Sequence, residues 1–175
     1  MEGEGVRMTN KYQEKRTQTI VKIALYSAIV ATVTMFTSVQ FTQGGYFNLG
    51  DVVVMLLAAL IPFRHALFAV SIGSMVADVM LGAIHYTLFT GIIKSLMVVV
   101  VFLLRHLLKK KYYFVPFLLG SALMVLLYGV VDAIILGGYT FYVSVIANAT
   151  QGVMGFIITS IAYPFSVKLV DYLED

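Results

Sequence analysis

Long apolar runs, repeated along the chain and separated by short polar links, constrain this sequence more than any single motif does. Six can be drawn, over residues 18–41, 51–63, 65–84, 86–108, 114–137 and 144–170. A hydrocarbon core about 30 Å thick takes about 20 helical residues to cross, and every run except the second has that length. In lipid the backbone N–H and C=O groups must be satisfied within the segment, so each run is predicted to be a helix. With 60% of the 175 residues hydrophobic and only 12% charged, a soluble domain, usually about 25% charged, is excluded. The expected architecture is an all-α integral membrane protein. It has a short polar tail over residues 1–17 and a single six-helix membrane domain over residues 18–175.

Charge sets the expected orientation. The N-terminal part carries Arg7, Lys11, Lys15, Arg16 and Lys22, the link after the second run carries Arg64, and "RHLLKKKYY" carries Arg105 and Lys109 to Lys111. The three alternate links, around "TQGGYFN", "LGAIHYT" and "LGGYTFYVS", have no Lys or Arg. By the positive-inside rule both termini are cytoplasmic. The polar first 17 residues then read as a cytoplasmic tail rather than a cleaved leader, and Lys109 to Lys111 as a topology anchor near anionic lipid rather than a nucleic-acid site.

The second run is too short. From Asp51 to Pro62 it rises only about 18 Å at 1.5 Å per residue. Either it begins below the outer surface or its helix extends back through the glycines of "GGYFNLG". Non-helical backbone at that depth survives only when buried in protein or lining a cavity, so this stretch is expected to fold into an outward-facing cavity. Asn48 is the expected N-cap. Asp51 then falls at the third helical position, where its carboxylate can reach a free N–H and meet the positive end of the helix dipole. That structural role and direct ligand contact are compatible.

Asp78, Lys94 and Asp132 interrupt other spans. Intramembrane charges are expensive unless they face the bundle interior or a water-filled cavity, so each is a candidate functional residue. With Asp51 they are four charges on four helices, all displaced toward the outer side. Polar stripes at helical spacing extend them: Ser71, Ser74, Asp78, Gly82 and His85 on the third span, and Thr87, Thr90, Gly91 and Lys94 on the fourth. Ser121, Met124, Tyr128 and Asp132 share a face of the fifth, and Asn148 and Gln151 of the sixth. Interhelical hydrogen bonding, or a structural ion pair between Lys94 and one of the acids, is the plainer explanation for any one of them. It gives no reason for the whole set to avoid the inner half.

Other chemistries find little support. There is no cysteine, the three histidines are not spaced as metal ligands, and no P-loop is present, so the chain is not expected to hydrolyse ATP. Neither cofactor nor metal is expected. The first span, "IVKIALYSAIVATVTMFTSV", carries Ala24, Ala28 and Thr32 at four-residue intervals with Ser27 and Ala31 beside them. Such a face lets another helix approach closely, either within the bundle or from a partner. It offers almost no polar group to a solute.

With these residues in view, the chain resembles the substrate-binding S component of energy-coupling factor (ECF) transporters. The resemblance covers nearly the whole chain: six spans, an Ala-rich first helix, "GGYFNLGDVVVMLLAALI", then "AVSIGSMVADVMLG". The "FNLGD" stretch with Gly73, Ala77 and Asp78 downstream is similar to the hydroxymethylpyrimidine and pyridoxine branch. The resemblance implies a membrane-embedded binding subunit without catalytic activity, in a prokaryotic plasma membrane. It would capture a water-soluble vitamin or precursor beneath the loop between the first and second helices. Implied partners are a transmembrane T component, docked on the Ala24 to Thr32 face, and two cytoplasmic ABC ATPases. Ala24-x-x-x-Ala28 fits the family's docking pattern, whereas Ala28-x-x-x-Thr32 departs from it.

The expected pocket holds a heterocycle against Tyr46, Phe47, Tyr86 and Tyr128, oriented by Asn48, Asp51, Asp78, His85, Lys94, Asp132, Asn148 and Gln151. Three acids against one base suit a neutral or weakly basic ring better than a phosphorylated one. Two other classes stay open on the residues alone: a small membrane enzyme acting on a lipid or isoprenoid substrate through Asp78 or Asp132, and a proton-coupled secondary transporter, against which the lack of an internal repeat counts.

Overall fold

The computed structural model describes the backbone of residues 2–40 and 46–174, and the side chains of residues 13–39, 48–170 and 172. Six helices account for almost all of it: α1 (Glu2–Phe36), α2 (Gly50–Leu60), α3 (Phe63–Met80), α4 (Thr87–Leu107), α5 (Val115–Leu136) and α6 (Thr140–Glu174). Between α1 and α2 the strands β1 (Val39–Gln40) and β2 (Tyr46–Phe47) pair antiparallel, Val39 opposite Phe47. Short 3-10 turns at Ile84–Tyr86 and Lys110–Tyr112 lead into α4 and α5. Five of the helices are long and apolar enough to cross a membrane, and α2 is shorter, so this is an all-α, multi-pass membrane architecture.

Local chemistry sets the breaks. Ile61 is extended ahead of Pro62, as the residue before a proline must be, and Pro62 in turn opens α3. Gly82 (φ 79°) follows α3 and Gly137 (φ 107°) ends α5; these left-handed conformations are open to glycine without a Cβ penalty. Pro116 sits in the first turn of α5, where its missing N–H has no helical partner to lose. Both ends of α1 and both ends of α6 differ from those expected. The polar residues placed in a tail continue α1 as helix back to Glu2, α1 ends at Phe36 rather than near residue 41, and α6 begins at Thr140 and runs to Glu174. Hydropathy locates where a helix enters lipid, not where it ends.

The short helix is the central one. α2 touches all five others, while α1 packs on α3, α3 on α4, α4 on α5 and α5 on α6. α1 and α3 meet closely at Gly73, where an added Cβ would lie 2.5 Å from the Ser27 carbonyl oxygen and 2.8 Å from Val30 Cβ. That contact divides the small-residue face of α1. Ser27 and Ala31 are buried, whereas Ala24, Ala28 and Thr32 point outward. Ser27 and Ala31, expected on a docking face, therefore belong to the bundle's own packing. Met55, Met97, Val98, Val101, Phe117 and Met124 fill the centre below the middle of the bundle and are fully buried.

Gly73→Val should force α1 and α3 apart and destabilise the fold by about 1–3 kcal/mol, the usual range for overpacking. A lowered thermal midpoint in detergent would register this, and an unchanged midpoint would argue against the close approach.

Candidate functional site

α2 stops short of one end of the bundle, and polar side chains gather around its first turn. Asp51, fully buried, accepts there from two other helices: Lys94 of α4 forms an ion pair with Oδ1, and Gln151 Nε2 of α6 donates to Oδ2 at 2.7 Å. The other end of the Gln151 amide accepts the Asn48 backbone N–H at 3.0 Å. Asn48 Oδ1 in turn accepts the Gly50 N–H at 2.7 Å, an Asx-type bond that starts the helix. Thr37 Oγ1, just beyond α1, accepts the Leu49 N–H at 2.9 Å. The chain entering α2 is thus tied to α1 and α6, and its first turn to α4.

This arrangement corrects the expected cap. The helix starts at Gly50 with Leu49 at the N-cap, so Asn48 lies one residue earlier and Asp51 falls at the second helical position, not the third. The Asp51 carboxylate has no need to reach back to its own backbone, because Lys94 and Gln151 take its oxygens.

Above this network lies a cavity of about 60 Å³, to which every helix contributes. Asn48, Asp78, Tyr86, Lys94, Tyr128, Asp132, Asn148 and Gln151, all anticipated from sequence, line it together. Tyr86 donates its hydroxyl proton to Asp132 Oδ1 at 2.6 Å, closing α4 against α5. Tyr128 donates to Thr90 Oγ1 at 3.0 Å, and Lys94 Nζ lies 5.3 Å from the Tyr128 ring centre, within cation-π range. Asn148 directs its amide N–H groups to Ser144, whose carbonyl accepts at 3.0 Å. The Ser74 hydroxyl is buried in the wall with no partner among the described residues, which leaves it available to a solute.

The remaining expected residues fall elsewhere. Asp51 lies beneath the cavity and acts through Lys94 and Gln151. His85 is exposed and outside the lining; the 3-10 turn carries it away while its ring stays 4.4 Å from that of Tyr86. The side chains of Tyr46 and Phe47 lie outside the described residues. Sequence reasoning missed Thr34 of α1, which is 5% exposed and on the cavity wall, so the first helix does offer a polar group to a solute. Its signal was the Thr34, Thr37, Ser38 spacing across the end of α1, hidden by the apolar residues around it. Gly50 and Val54 were missed as well. A side chain at Gly50 would run into Thr34 Oγ1 and come within 2.7 Å of Asn48 Oδ1, so glycine there keeps the cavity open. Among the described residues no group of three His, Asp or Glu side chains could hold a metal ion.

A bundle of membrane-spanning helices around a polar chamber, with most of its ionisable groups already paired to the scaffold, defines a membrane-embedded binding protein. The family model described as "ECF-type riboflavin transporter, S component" matches residues 14–168, nearly the whole chain. The chain belongs to that family of vitamin-binding transporter subunits, which are not enzymes. A comparison with curated proteins finds no match. S components as a class work with a T component and ATPases.

Removing one partner of a buried ion pair strands the other, at about 3–5 kcal/mol. Asp51→Asn and Lys94→Met should each lower the thermal midpoint sharply, and the double variant should recover most of the loss. If the double variant melts as low as the sum of the two singles, the pairing is wrong.

Proposed function

We propose that the chain is the high-affinity S component of an ECF-type importer, and that its cavity captures a small, single-ring water-soluble vitamin or precursor. Hydroxymethylpyrimidine and pyridoxine are the best candidates. The observation that carries this reading is the cavity itself. At about 60 Å³ it falls far below the roughly 300 Å³ at which drug-sized ligand sites begin. Its charged residues, with Asp51 counted, are three acids and one base. Lys94 is engaged by Asp51, and Asp132 already accepts from Tyr86; the lining acids Asp78 and Asp132, the Asn148 amide and the Ser74 hydroxyl are the groups we assign to selecting a ligand. Such a lining suits a weakly basic ring carrying hydroxyl or amino donors and disfavours a phosphate ester.

A second reading follows from the matched family model, whose description names riboflavin. A three-ring ligand with a polyol tail would need the cavity to open.

The charge asymmetry of the links supports cytoplasmic termini, with the cavity toward the outside. A single membrane domain preceded by a polar cytoplasmic segment, in a prokaryotic plasma membrane, agrees with that orientation. The exposed ridge of Ala24, Ala28 and Thr32 is then available to a T component, with two cytoplasmic ATPases supplying the energy.

Small molecules released from the purified chain, identified by mass spectrometry and then titrated back, test the substrate. Binding of a pyridine or pyrimidine vitamin at one-to-one stoichiometry with weak riboflavin binding is the expected result. Preferential riboflavin binding would establish the second reading, and failure of all three to bind would remove the vitamin-capture role. Asp132→Asn should weaken binding of the true ligand about tenfold, the range for one lost charge-assisted hydrogen bond, while shifting the melting point little. Ala28→Trp should leave binding intact and abolish uptake in cells that supply the T component and ATPases; normal uptake would exclude the ridge as the docking surface.

A further inference from the structure

At the end of the bundle opposite the vitamin cavity, a second pocket of about 480 Å³ opens between the end of α4, the Lys110–Tyr112 turn, the start of α5 and the last turns of α6. Its chemistry is the reverse of the first. Arg105, Lys109, Lys110 and Lys168 line it, with no acidic side chain among the described residues of the lining. None of the four makes an ion pair among the described residues, where Lys94 and Asp51 form the only one. Part of the wall is rigid: the Arg105 guanidinium lies over the Tyr163 ring at 4.9 Å, and Tyr113 stacks on the same ring at 5.9 Å. Leu108 and Val167 add apolar surface.

The position of the pocket selects its occupant. It sits where the apolar spans end, and residues beside its lining, Leu107, Leu119, Phe165 and Leu169, are exposed on the outer surface of the helices. A ligand there meets concentrated positive charge beside exposed apolar surface. Tyrosines such as Tyr113 and Tyr163 suit that boundary, where one end of the ring is apolar and the other wet. A soluble anion would use only the cations; a phospholipid uses both surfaces.

We propose that this pocket binds the headgroup of an anionic phospholipid. Lys109, Lys110, Lys168 and Arg105 hold the phosphate, and the acyl chains lie along the outward faces of α5 and α6. The site is separate from the vitamin cavity and does not depend on which vitamin is bound.

The test uses the full chain in neutral detergent, titrated with phosphatidylglycerol or phosphatidylcholine and read by native mass spectrometry. One phosphatidylglycerol per chain should be retained, with phosphatidylcholine much weaker. The variant K109Q/K110Q/K168Q leaves the Arg105 and Tyr163 stack intact and should lose phosphatidylglycerol affinity about tenfold or more, given the attraction each basic residue adds at a membrane surface. K15Q/R16Q/K22Q removes the same charge from α1 and should bind normally. If the first variant fails to fold by its melting curve, K109Q/K110Q, confined to the link outside the helices, carries the same expectation. Equal binding of the two lipids, or an equal loss in the α1 variant, would overturn the proposal. Displacement of the lipid by millimolar glycerol 3-phosphate would do so too, by making the site one for a soluble phosphate ester.

Discussion

The buried pair of Asp51 and Lys94 is the interaction on which the rest of this structure depends. α2 has 11 residues, so it rises about 16 Å and cannot span a core about 30 Å thick. Its first turn must end inside protein, where free backbone N–H groups and a carboxylate would both be costly. Lys94 and Gln151 resolve this by taking one carboxylate oxygen each, and Asn48 satisfies the Gly50 N–H. Three helices are thereby fixed relative to one another by side chains that cannot be changed singly without stranding a charge. The pair also restricts what recognition can use. The Lys94 ammonium is already engaged by the scaffold through Asp51, and Asp132 likewise accepts from Tyr86.

Much of this was legible in the sequence because lipid imposes simple rules. Runs of about 20 apolar residues located the long helices to within a few positions wherever proline or glycine closed them, as at Pro62, Gly82 and Gly137. The convergence of Asp51, Asp78, Lys94 and Asp132 at one end followed from counting along alternating spans. The partner of Lys94 did not follow, because rotation and lateral order of helices are set by contacts such as Gly73 against Ser27, which sequence spacing does not reveal. The same limit explains Ser27 and Ala31. On a helical wheel they adjoin Ala28, yet the close approach of α3 turns them inward and leaves Ala24, Ala28 and Thr32 outside. His85 fits the polar stripe of α3 only if that helix continues, and Gly82 ends it. Thr34 was obscured for the opposite reason, a single hydroxyl in an apolar helix.

The polar groups are displaced to one side because α2 is short. Where α2 is absent, the other helices surround an unfilled space, and polar side chains from all of them reach into it. Where α2 is present, its apolar residues Val54, Met55 and Ala58 fill the same space together with Met97, Val98, Val101 and Phe117 from α4 and α5. Along α4 the change is abrupt: Lys94 faces the cavity, and Met97 and Val98, about one turn further on, are fully buried in the core. Interhelical hydrogen bonding as the sole purpose of the polar residues would predict no such boundary.

That boundary has a mechanical consequence. Among the described residues the polar chamber ends at the Asp51, Lys94 and Gln151 network, and below it the core is filled mainly by methionine, valine and phenylalanine side chains. A hydrophilic solute in the chamber therefore has no polar route along the bundle axis to the opposite end. Opening one through the core would separate α2 from α4 and expose the ion pair, a far larger cost than loosening the Tyr86 to Asp132 bond at the near end.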